Sequence, residues 1–350
     1  MFEIKPTKSY NYTNDNLFDK NGIYPVVTNS SNNNGVTGYT NLLPTEKGNM
    51  ITYSDTTTSD GIFYQPNDFV GYSHIQGLYP KIQGSKWRYS SLIYVVTALR
   101  KAAAGRYNYG NKFNRENARK LIVQLPTKEG EIDFEFMESF VAELEAQRVA
   151  ELEAYLTVTG LKNYQLTKEE KLALKELDTI EWKEYNLEKL FGKATRGKRL
   201  KSADRVNGNL IFVTAGETDE GVSAYIGNDV EIFHKNTITI DMFGSAKYRN
   251  YNYGADDHIA VVHTEDINNK AAIFITTSIH KVSYNGQFDY GRNFYAKDAD
   301  KLNIQLPIKN GEINFKYMEI LISAIQKLVI KDVVVYAEKK IKATKEVINR

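Results

Sequence analysis

The chain has 350 residues, of which 42% are hydrophobic, and its 45 Lys+Arg against 43 Asp+Glu leave a formal net charge of only +2. That total alone predicts no polyanionic partner. Because the sequence has no cysteine, no apolar leader and no apolar run of about 18 residues, it excludes disulfides and thiolate zinc sites, and we expect a cytoplasmic protein with no membrane segment.

The first predicted domain covers residues 1–133. It is rich in Asn, Tyr and Gly, which are typical of turns between short strands. Gly130 then marks a turn and Asp133 is a suitable N-cap, which predicts a first spacer helix over residues 134–157. Apolar residues recur in this helix at roughly helical spacing, at Met137, Phe140, Val141, Leu144, Leu152, Tyr155 and Leu156.

The predicted spacer segment, residues 134–180, ends in a charged linker helix that Thr167 caps, in the stretch TKEEKLALKELDT. The second domain, residues 181–314, contains the strand-like runs NLIFVTA, NTITID and HIAVVH, which Gly and Asn turn signals separate. Asn314 is the predicted cap of a second spacer helix within residues 315–350, over about 316–344. One face of that helix is apolar, with Met318, Ile322, Ile325, Val329 and Tyr336.

The chain is a tandem duplication. The segments LIVQLPTKEGEIDFEFME (121–138) and LNIQLPIKNGEINFKYME (302–319) are identical at eleven of eighteen positions, at an offset of 181 residues. Further upstream, His74 corresponds to His258 and Asn49 to Asn236, at slightly larger offsets. This period is far longer than the ~20–50 residues of solenoid repeats, so we expect each copy to fold as a domain.

Each predicted domain therefore ends in a long helix whose apolar face must be covered. The face packs either on its own domain or on the helix of the other copy, and the duplication favours the second arrangement because it supplies two equivalent faces. We expect the two helices to lie antiparallel, with Leu144 and Ile325 where the faces meet and with acidic outer faces, since residues 129–153 carry nine carboxylates and one basic residue. Contacts with partner proteins are predicted at Leu144, Leu152, Ile325 and Val329.

A basic segment opens the second domain, where six cationic side chains between Lys193 and Arg205 oppose only Asp204. Such a run is either a solvated face or a surface that binds phosphates. The aromatic and amide residues of FYQPNDFVGYSH and KYRNYNYGADDH suit base stacking and hydrogen bonding to base edges, the alternative being packing within strands. The candidate DNA-binding residues are Asn29, Asn32, Asn33, Tyr72, His74, Lys193, Arg196, Lys198, Arg199, Lys201, Arg249, Tyr251, Tyr253 and His258.

The stretch KLFGKATRGKRLKSADRVNGNLIFVTAGETDEGVSAYI, followed by KNTITIDMFGSAKYRNYNYGADDHIAVV, resembles the target recognition domain of DNA-specificity subunits in type I restriction-modification systems and their type IIB relatives. The resemblance covers nearly the whole chain. It implies an α+β fold, in which two repeated α/β target recognition domains are connected by a pair of long antiparallel helices. One departure is that residues 182–190 precede Phe191 in the second copy, whereas the first copy begins at Phe2 without such a lead-in.

The resemblance also implies the function and the partners. Each domain is expected to read one half of a split site in double-stranded DNA, and the helices to dock methyltransferase subunits, two per chain, with a restriction subunit where the system has one. S-adenosylmethionine is expected in the methyltransferase partner, and no cofactor in this chain.

Catalytic signatures are absent from the sequence itself. The seven prolines are never adjacent, so the Asn/Asp-Pro-Pro-Tyr/Phe loop of amino-methyltransferases is missing, and no Pro-Asp pair begins a nuclease motif. We therefore predict no catalytic and no metal-binding residues. Two other classes stay open at this point, a carbohydrate-binding or phage adhesion module, since Asn, Tyr and Gly also line sugar sites, and a stand-alone nuclease.

Overall fold

The computed structural model describes residues 1–56, 58–81, 86–108 and 110–348, and within these ranges no helix is long and apolar enough to cross a membrane. By its internal contacts the chain divides into two units, Met1–Leu152 with Lys340–Arg350, and Glu153–Lys339. Each unit has its own buried apolar core.

The first unit contains two small sheets and a hairpin. Antiparallel strands form one sheet in the order β1-β7-β4-β5, and the second sheet has the order β3-β2-β6. The elements are β1 (Phe2–Pro6), α1 (Asn14–Leu17), β2 (Tyr24–Val27), β3 (Val36–Thr40), β4 (Met50–Ser54), β5 (Phe63–Gln65), β6 (Val70–Gly71), β7 (Ile75–Pro80), α2 (Tyr89–Ala103), α3 (Arg115–Lys120), β8 (Thr127–Lys128), β9 (Glu131–Ile132) and α4 (Phe134–Val158).

The core of the first unit lies between the larger sheet and α2. All five residues of β4 are buried, which explains why this central strand carries Ile51 and Tyr53. Helix α2 buries Leu92, Val95 and Val96, whose spacing places them on one face. Helix α2 was not predicted from the sequence.

The second unit repeats this arrangement and adds a third sheet. Two of its sheets have the equivalent orders β11-β17-β14-β15 and β13-β12-β16, and the added sheet is β10-β18-β19. The elements are α5 (Lys168–Glu176), β10 (Trp182–Asn186), α6 (Leu187–Phe191), β11 (Thr195–Arg196), β12 (Asn207–Val213), β13 (Val222–Ile226), β14 (Thr237–Asp241), β15 (Ala246–Arg249), β16 (Tyr253–Ala255), β17 (Ile259–Val262), α7 (Asn269–Ser283), α8 (Ala296–Ala299), β18 (Asn303–Lys309), β19 (Glu312–Ile313) and α9 (Phe315–Ile348).

The duplication predicted from sequence is therefore visible in the topology, strand by strand. The matched residues Asn49 and Asn236 both adopt the left-handed region, with φ of 54° and 67°, immediately before the central strands β4 and β14. Asparagine tolerates this conformation better than most residues. The third sheet breaks the symmetry, because its counterpart in the first unit is only the hairpin β8-β9.

Side chains cap the long helices where the sequence predicts. The backbone N–H of Phe136 donates to Asp133 Oδ1 at 2.9 Å, and that of Tyr317 donates to Asn314 Oδ1 at 3.0 Å. Thr167 forms a capping box at the start of α5. The two spacer helices are slightly longer than predicted, since α4 ends at Val158 and α9 continues to Ile348.

The apolar face of α4 is only partly covered. Met137, Val141 and Leu156 are buried, and Leu152 is half-buried. Leu144, in contrast, keeps 43% of its surface exposed. Part of the predicted apolar stripe is therefore buried, but Leu144 itself is not.

Helix α9 shows the same division. It buries Met318 and Ile322, but Ile325 and Val329 remain 40% and 75% exposed, so Ile325 is also not covered as expected. Within the first unit, the C-terminal part of α9 reaches α4, where Lys340 Nζ lies 3.7 Å from Glu145 Oε2. Exposed apolar residues thus remain on both spacer helices.

Candidate nucleic-acid interface

Equivalent loops join the first two strands of the smaller sheet in each domain. The loop between β2 and β3 holds Asn33 and Asn34 in the left-handed region, with φ of 46° and 56°. The loop between β12 and β13 holds Asp219 and Glu220 there, with φ of 47° and 55°. A glycine with φ of 79° or 80° follows each pair, a conformation that glycine adopts at little cost. The two loops share a backbone shape but carry amides in one copy and carboxylates in the other.

A buried side chain of the neighbouring strand holds the first loop in place. Gln65, the last residue of β5, is 2% exposed. Its side-chain amide donates to the backbone O of Asn34 at 3.0 Å and to Thr52 Oγ1 at 2.9 Å. Gln65 therefore ties the left-handed turn to the central strand β4, and we call it the loop anchor of the first domain.

Arg249 is the equivalent loop anchor of the second domain. It ends β15, is 1% exposed, and donates from Nη2 to the backbone O of Glu220 at 2.8 Å and from Nε to Thr239 Oγ1 at 2.9 Å. Its third hydrogen bond, from Nη1, goes to Tyr251 Oη at 2.9 Å. Neither anchor was predicted from the sequence, although the repeat places Arg249 and Gln65 at equivalent positions.

These contacts correct two predicted DNA contacts. Arg249 cannot reach a base edge, because it is enclosed and its donors serve the loop. Tyr253 is completely buried, with its hydroxyl 2.8 Å from Thr237 Oγ1, and burial raises the pKa of its phenol. Tyr251 is half-buried and accepts the Arg249 bond. The alternative stated for these tyrosines, packing within the strands, holds for Tyr253.

The basic segment lies on the surface of the second domain. Gly197 fixes its position, because a Cβ there would lie 2.1 Å from the backbone O of Ala255. The backbone N–H of Lys198 donates to that same oxygen at 3.0 Å. The predicted cationic residues all have exposed side chains, and none makes an ion pair with the described residues: Lys193, Arg196, Lys198, Arg199 and Lys201.

The corresponding segment of the first domain is aromatic instead. Thr7 takes the place of Gly197 beside Gly71, and Lys8 follows it with an exposed side chain. Tyr10 and Tyr12 then stack on one another with ring centroids 5.4 Å apart, and Tyr12 is 50% exposed. These two tyrosines were not predicted from the sequence.

The asparagines predicted in the first loop lie at the surface. Asn29, Asn32 and Asn33 are exposed, although the Asn33 amide is used to close its own turn by donating to the backbone O of Val36 at 3.0 Å. On the strand that follows, Tyr39 is 49% exposed. Its equivalent in the second domain is Tyr225 on β13, which is 59% exposed. The pair was missed, though GVTGYT and GVSAYI place the two tyrosines at matched positions.

The matched histidines occupy turns before equivalent strands. His74 has a positive φ of 66°, is largely exposed, and lies 3.2 Å from Asp55 Oδ1 through Nδ1. His258 is half-buried, with Nδ1 3.6 Å from Asp257 Oδ1. Tyr72 donates its hydroxyl to Asn14 Oδ1 at 3.0 Å. Both histidines and Tyr72 thus have polar partners within the protein, and His74 also remains accessible to solvent.

Asp256, Asp257 and His258 bring their ligand atoms within 4.8 Å of one another. One oxygen of Asp256 already accepts the backbone N–H of Leu200 at 3.3 Å, which links this turn to the basic segment. Three consecutive residues of one turn offer only part of a coordination shell. The absence of a metal site stays a prediction.

The second loop is acidic at neutral pH. Burial opposes ionisation of Glu217, but hydrogen bonding to Ser245 and the charge of Lys247 outweigh it and lower the pKa of this carboxyl. Lys247 Nζ lies 3.2 Å from Glu217 Oε1 and 3.4 Å from Asp241 Oδ2. The Lys247 ammonium therefore lies between the exposed Glu217 carboxylate and the buried Asp241 carboxylate, and Asp219 and Glu220 remain at the surface.

Comparison with known proteins assigns the chain to one family. The family model of the type I restriction modification DNA specificity domain matches residues 1–154 and again residues 179–334. Since these matches cover most of the sequence, the chain belongs to this family of specificity subunits of restriction-modification systems, and its function is the recognition of DNA sequence. The resemblance and the fold class inferred from the sequence are confirmed, and the sugar-binding and nuclease alternatives are set aside.

Individual relatives agree with this assignment. The chain is 21% identical over 304 residues to the specificity subunit S.BcgI of a type II restriction enzyme from Heyndrickxia coagulans, covering 84% of each protein. The crystal structure of a type I restriction-modification S subunit from M. genitalium shares the fold, with a TM-score of 0.57 and 12% identity over 99% of this chain and 91% of that one.

Proposed function

We propose that this chain is the non-catalytic, target-reading subunit of a restriction-modification complex, and that each domain reads one half of a split, asymmetric DNA site. The observation that carries the proposal is the pair of anchored loops. They have the same backbone and equivalent anchors, Gln65 and Arg249, but different exposed side chains. A shared scaffold that presents different hydrogen-bonding groups favours two half-sites of different sequence.

The chemistry of each loop supports a different base preference. Exposed amides such as Asn29 and Asn32 are suited to the donor and acceptor pair of adenine. The carboxylates of Asp219 and Glu220 accept hydrogen bonds only, as cytosine N4 requires, and phosphates would repel them. The cations of the basic segment in the same domain suit the phosphate backbone, which fixes register without reading sequence.

The spacer helices supply surfaces for protein partners. On α4 and α9, Leu144, Ile325 and Val329 are exposed apolar residues, and exposed apolar surface of this kind is typical of protein interfaces. With Leu152 at the half-buried margin of α4, these residues support the docking of methyltransferase subunits, two per chain, and of a restriction subunit where one is present. S-adenosylmethionine would bind the methyltransferase.

The purified chain alone is expected to bind DNA but neither to methylate nor to cut it. The reason is that its sequence lacks the methyltransferase loop and the nuclease motif. The measurement is transfer of labelled methyl groups from S-adenosylmethionine, with plasmid cleavage in Mg²⁺ as a second readout and DNA binding by anisotropy as the positive control. Methyl transfer at a stoichiometry that excludes contamination would overturn the non-catalytic role.

The basic segment is expected to carry salt-dependent, sequence-independent affinity. Replacing Lys198, Arg199 and Lys201 with alanine should weaken binding to all DNA sequences alike, because phosphates are common to every site. The slope of log K against log salt should fall by about 0.9 for each phosphate that the variant no longer neutralises. Binding isotherms at four or five salt concentrations measure this slope.

A matched control lies on the linker helix α5, where Lys168, Lys171 and Lys175 are also exposed. Alanine at these three positions removes the same charge, and the slope should change little. If the two triple variants behave alike, the basic segment is an ordinary solvated surface and DNA contact must lie elsewhere in the domain.

A further inference from the structure

A chain of hydrogen bonds runs through the first domain to the exposed imidazole of His74. Arg115 Nε donates to Gln76 Oε1 at 3.0 Å, and Gln76 Nε2 donates to Asp55 Oδ2 at 2.7 Å. The other oxygen of this carboxylate, Oδ1, lies 3.2 Å from His74 Nδ1. Gln76 is buried, and Asp55 and Arg115 are half-buried. We call Asp55, Gln76 and Arg115 the His74 relay, because they connect the interior of the domain with an exposed side chain.

The second domain folds without such a relay. Its residues at the three equivalent positions are apolar: Met242, Ala260 and Ala296. Met242 and Ala260 are buried there, so the same strands pack well with apolar side chains. Burying polar and charged groups costs free energy, and apolar replacements of such groups are often as stable. The relay is therefore not required by the fold, which indicates that it serves His74.

The guanidinium of Arg115 fixes the direction of each hydrogen bond in the relay. Arginine is only a donor, so Gln76 must turn its oxygen towards Arg115 and its amino group towards Asp55. A carboxylate only accepts, so Nδ1 of His74 must carry a hydrogen and donate it. In the neutral imidazole, Nε2 is then an acceptor without a hydrogen. The relay thus selects one of the two tautomers of His74.

His74 lies close to the anchored loop of the first domain. The backbone N–H of Asp55, directly after β4, donates to the backbone O of His74 at 3.0 Å. A Cβ at Gly61 would lie 3.4 Å from Ser54 Cβ at the end of β4 and 3.8 Å from the backbone O of Ser30 in the loop. His74 also holds a φ of 66°, a left-handed conformation that costs a non-glycine residue free energy and that clusters at functional sites. An exposed imidazole with a fixed tautomer is thus a neighbour of the loop proposed to read bases.

We infer that His74 is a specificity-determining residue of the first domain, and that its Nε2 accepts a hydrogen bond from the amino group of adenine or cytosine. Asp55, Gln76 and Arg115 are positioning residues, which hold Nδ1 and leave Nε2 for the DNA. In the major groove only these two bases carry an amino group, so such an acceptor distinguishes them from guanine and thymine. The inference rests on the proposed function, since it requires that the first domain reads DNA.

The first experiment is His74→Asn in the full chain. Asparagine tolerates the left-handed backbone, and its amide can donate to Asp55, but it is too short to reach the place of Nε2. Discrimination at one base pair of the first half-site should fall by roughly tenfold, because a base contact is worth about that factor. Affinity for unrelated DNA should be retained, since His74 is exposed and its replacement leaves the core intact. Selection of bound duplexes from a randomised pool measures the preference.

His258→Asn is the matched control, because it changes the equivalent histidine of the second domain and should leave the first half-site as it was. If the unmodified chain selects no sequence, the proposed function itself fails. If the unmodified chain selects a sequence and His74→Asn does not alter it, only the present inference fails. A loss that is equal for all sequences, with a smaller salt slope, would assign His74 to a phosphate and also overturn the inference.

The second experiment is Asp55→Asn, which reverses the last hydrogen bond of the relay. Arg115 still orients Gln76, so the oxygen of the new carboxamide accepts from Gln76 and its amino group faces His74. Nδ1 then accepts, the hydrogen moves to Nε2, and His74 offers a donor to the DNA. The preferred base should switch from adenine or cytosine to guanine or thymine, which carry a carbonyl acceptor in the major groove. A loss of preference without this switch would show that Asp55 supports only the local fold.

Magnetic resonance of the free chain tests the tautomer without DNA. The chain has five histidines, so isotope labelling of histidine alone gives a simple spectrum, in which His74→Asn identifies the signals of His74. At mildly alkaline pH we expect the Nδ1–H tautomer in the unmodified chain and the Nε2–H tautomer in Asp55→Asn. The Nε2–H tautomer, or an even mixture of the two, in the unmodified chain would overturn the positioning role of the relay.

Discussion

Arg249→Ala is expected to remove sequence discrimination at the half-site read by the second domain while leaving most of the DNA affinity in place. Arg249 is buried, and it donates to the backbone O of Glu220 through Nη2 and to the side-chain hydroxyl of Thr239 on β14 through Nε. Without it, the left-handed turn that presents Asp219 and Glu220 loses its support from the sheet. Well-placed base contacts are each worth ~1–3 kcal/mol of discrimination, so we expect a loss of about tenfold to a hundredfold.

The first domain supplies a matched control for this variant. Arg249→Gln introduces the residue that performs the same task there, since Gln65 bonds the carbonyl of Asn34 and the hydroxyl of Thr52. Discrimination should therefore be largely retained in Arg249→Gln. Gln65→Ala should show the converse pattern, with the first half-site affected and the second intact.

The measurement is binding of each variant to DNA in which one half-site at a time carries base substitutions. Thermal unfolding is recorded in parallel, because loss of a buried hydrogen-bonded group costs about 1–3 kcal/mol of stability by itself. A merely structural role would lower affinity for both half-sites together as the protein unfolds. Equal losses at both half-sites, or no rescue by Arg249→Gln, would show that the anchor does not position the reading loop.

Much of the fold could be predicted because the sequence contains two copies of the same domain. Repeated segments fixed the domain count, and matched special residues such as Asn49 and Asn236 identified turns that the structure places before equivalent central strands. The caps Asp133 and Asn314 located both spacer helices to within a few residues. Local chemistry determines these features, so the sequence shows them directly.

The candidate DNA-binding surface was harder to predict, because whether a side chain is buried depends on how the sheet packs. Arg249 and Tyr253 lie in a run of polar and aromatic residues, a composition that suggests an exposed surface. Side chains alternate between the two faces of β15 and β16, however, and both of these are buried. A buried arginine is rare and is recognised only once its partners are known. Tyr39 and Tyr225, in contrast, could have been found from the repeat alone, since an aromatic residue recurs at matched positions of the hairpin.

The helices were predicted by capping and periodicity, and part of each predicted apolar stripe is buried, at Met137 and Val141 on α4 and at Met318 and Ile322 on α9. Leu144 and Ile325 are equivalent positions at the repeat offset, and both remain exposed. An apolar stripe on a helix indicates that another surface covers it, but it does not identify that surface. Helix α2 was missed because SLIYVVTALRK is rich in residues that also favour strands.

Lengthening the spacer helices is expected to cause the largest change in the DNA site that is recognised. Helix α4 has 25 residues, which at ~1.5 Å per residue makes it roughly 38 Å long, close to the ~34–36 Å of one turn of B-DNA. If the helices set the distance between two domains that face the same side of the duplex, the half-sites are centred roughly 10 base pairs apart. With about 3–5 base pairs read by each domain, we expect an unread gap of about 5–7 base pairs between them.

Inserting one heptad after Leu144 and another after the equivalent Ile325 should widen this gap by about 3 base pairs, because seven helical residues add roughly 10 Å. The sequences of the two halves should not change, since the loops that read them are untouched. Seven residues inserted after Gly160, outside both helices, form the control and should leave the gap as it was. Whole-genome mapping of methylated sites in cells that carry each complex measures the gap. A continuous or palindromic target, or a gap indifferent to helix length, would show that the spacing is set by the partner subunits and not by these helices.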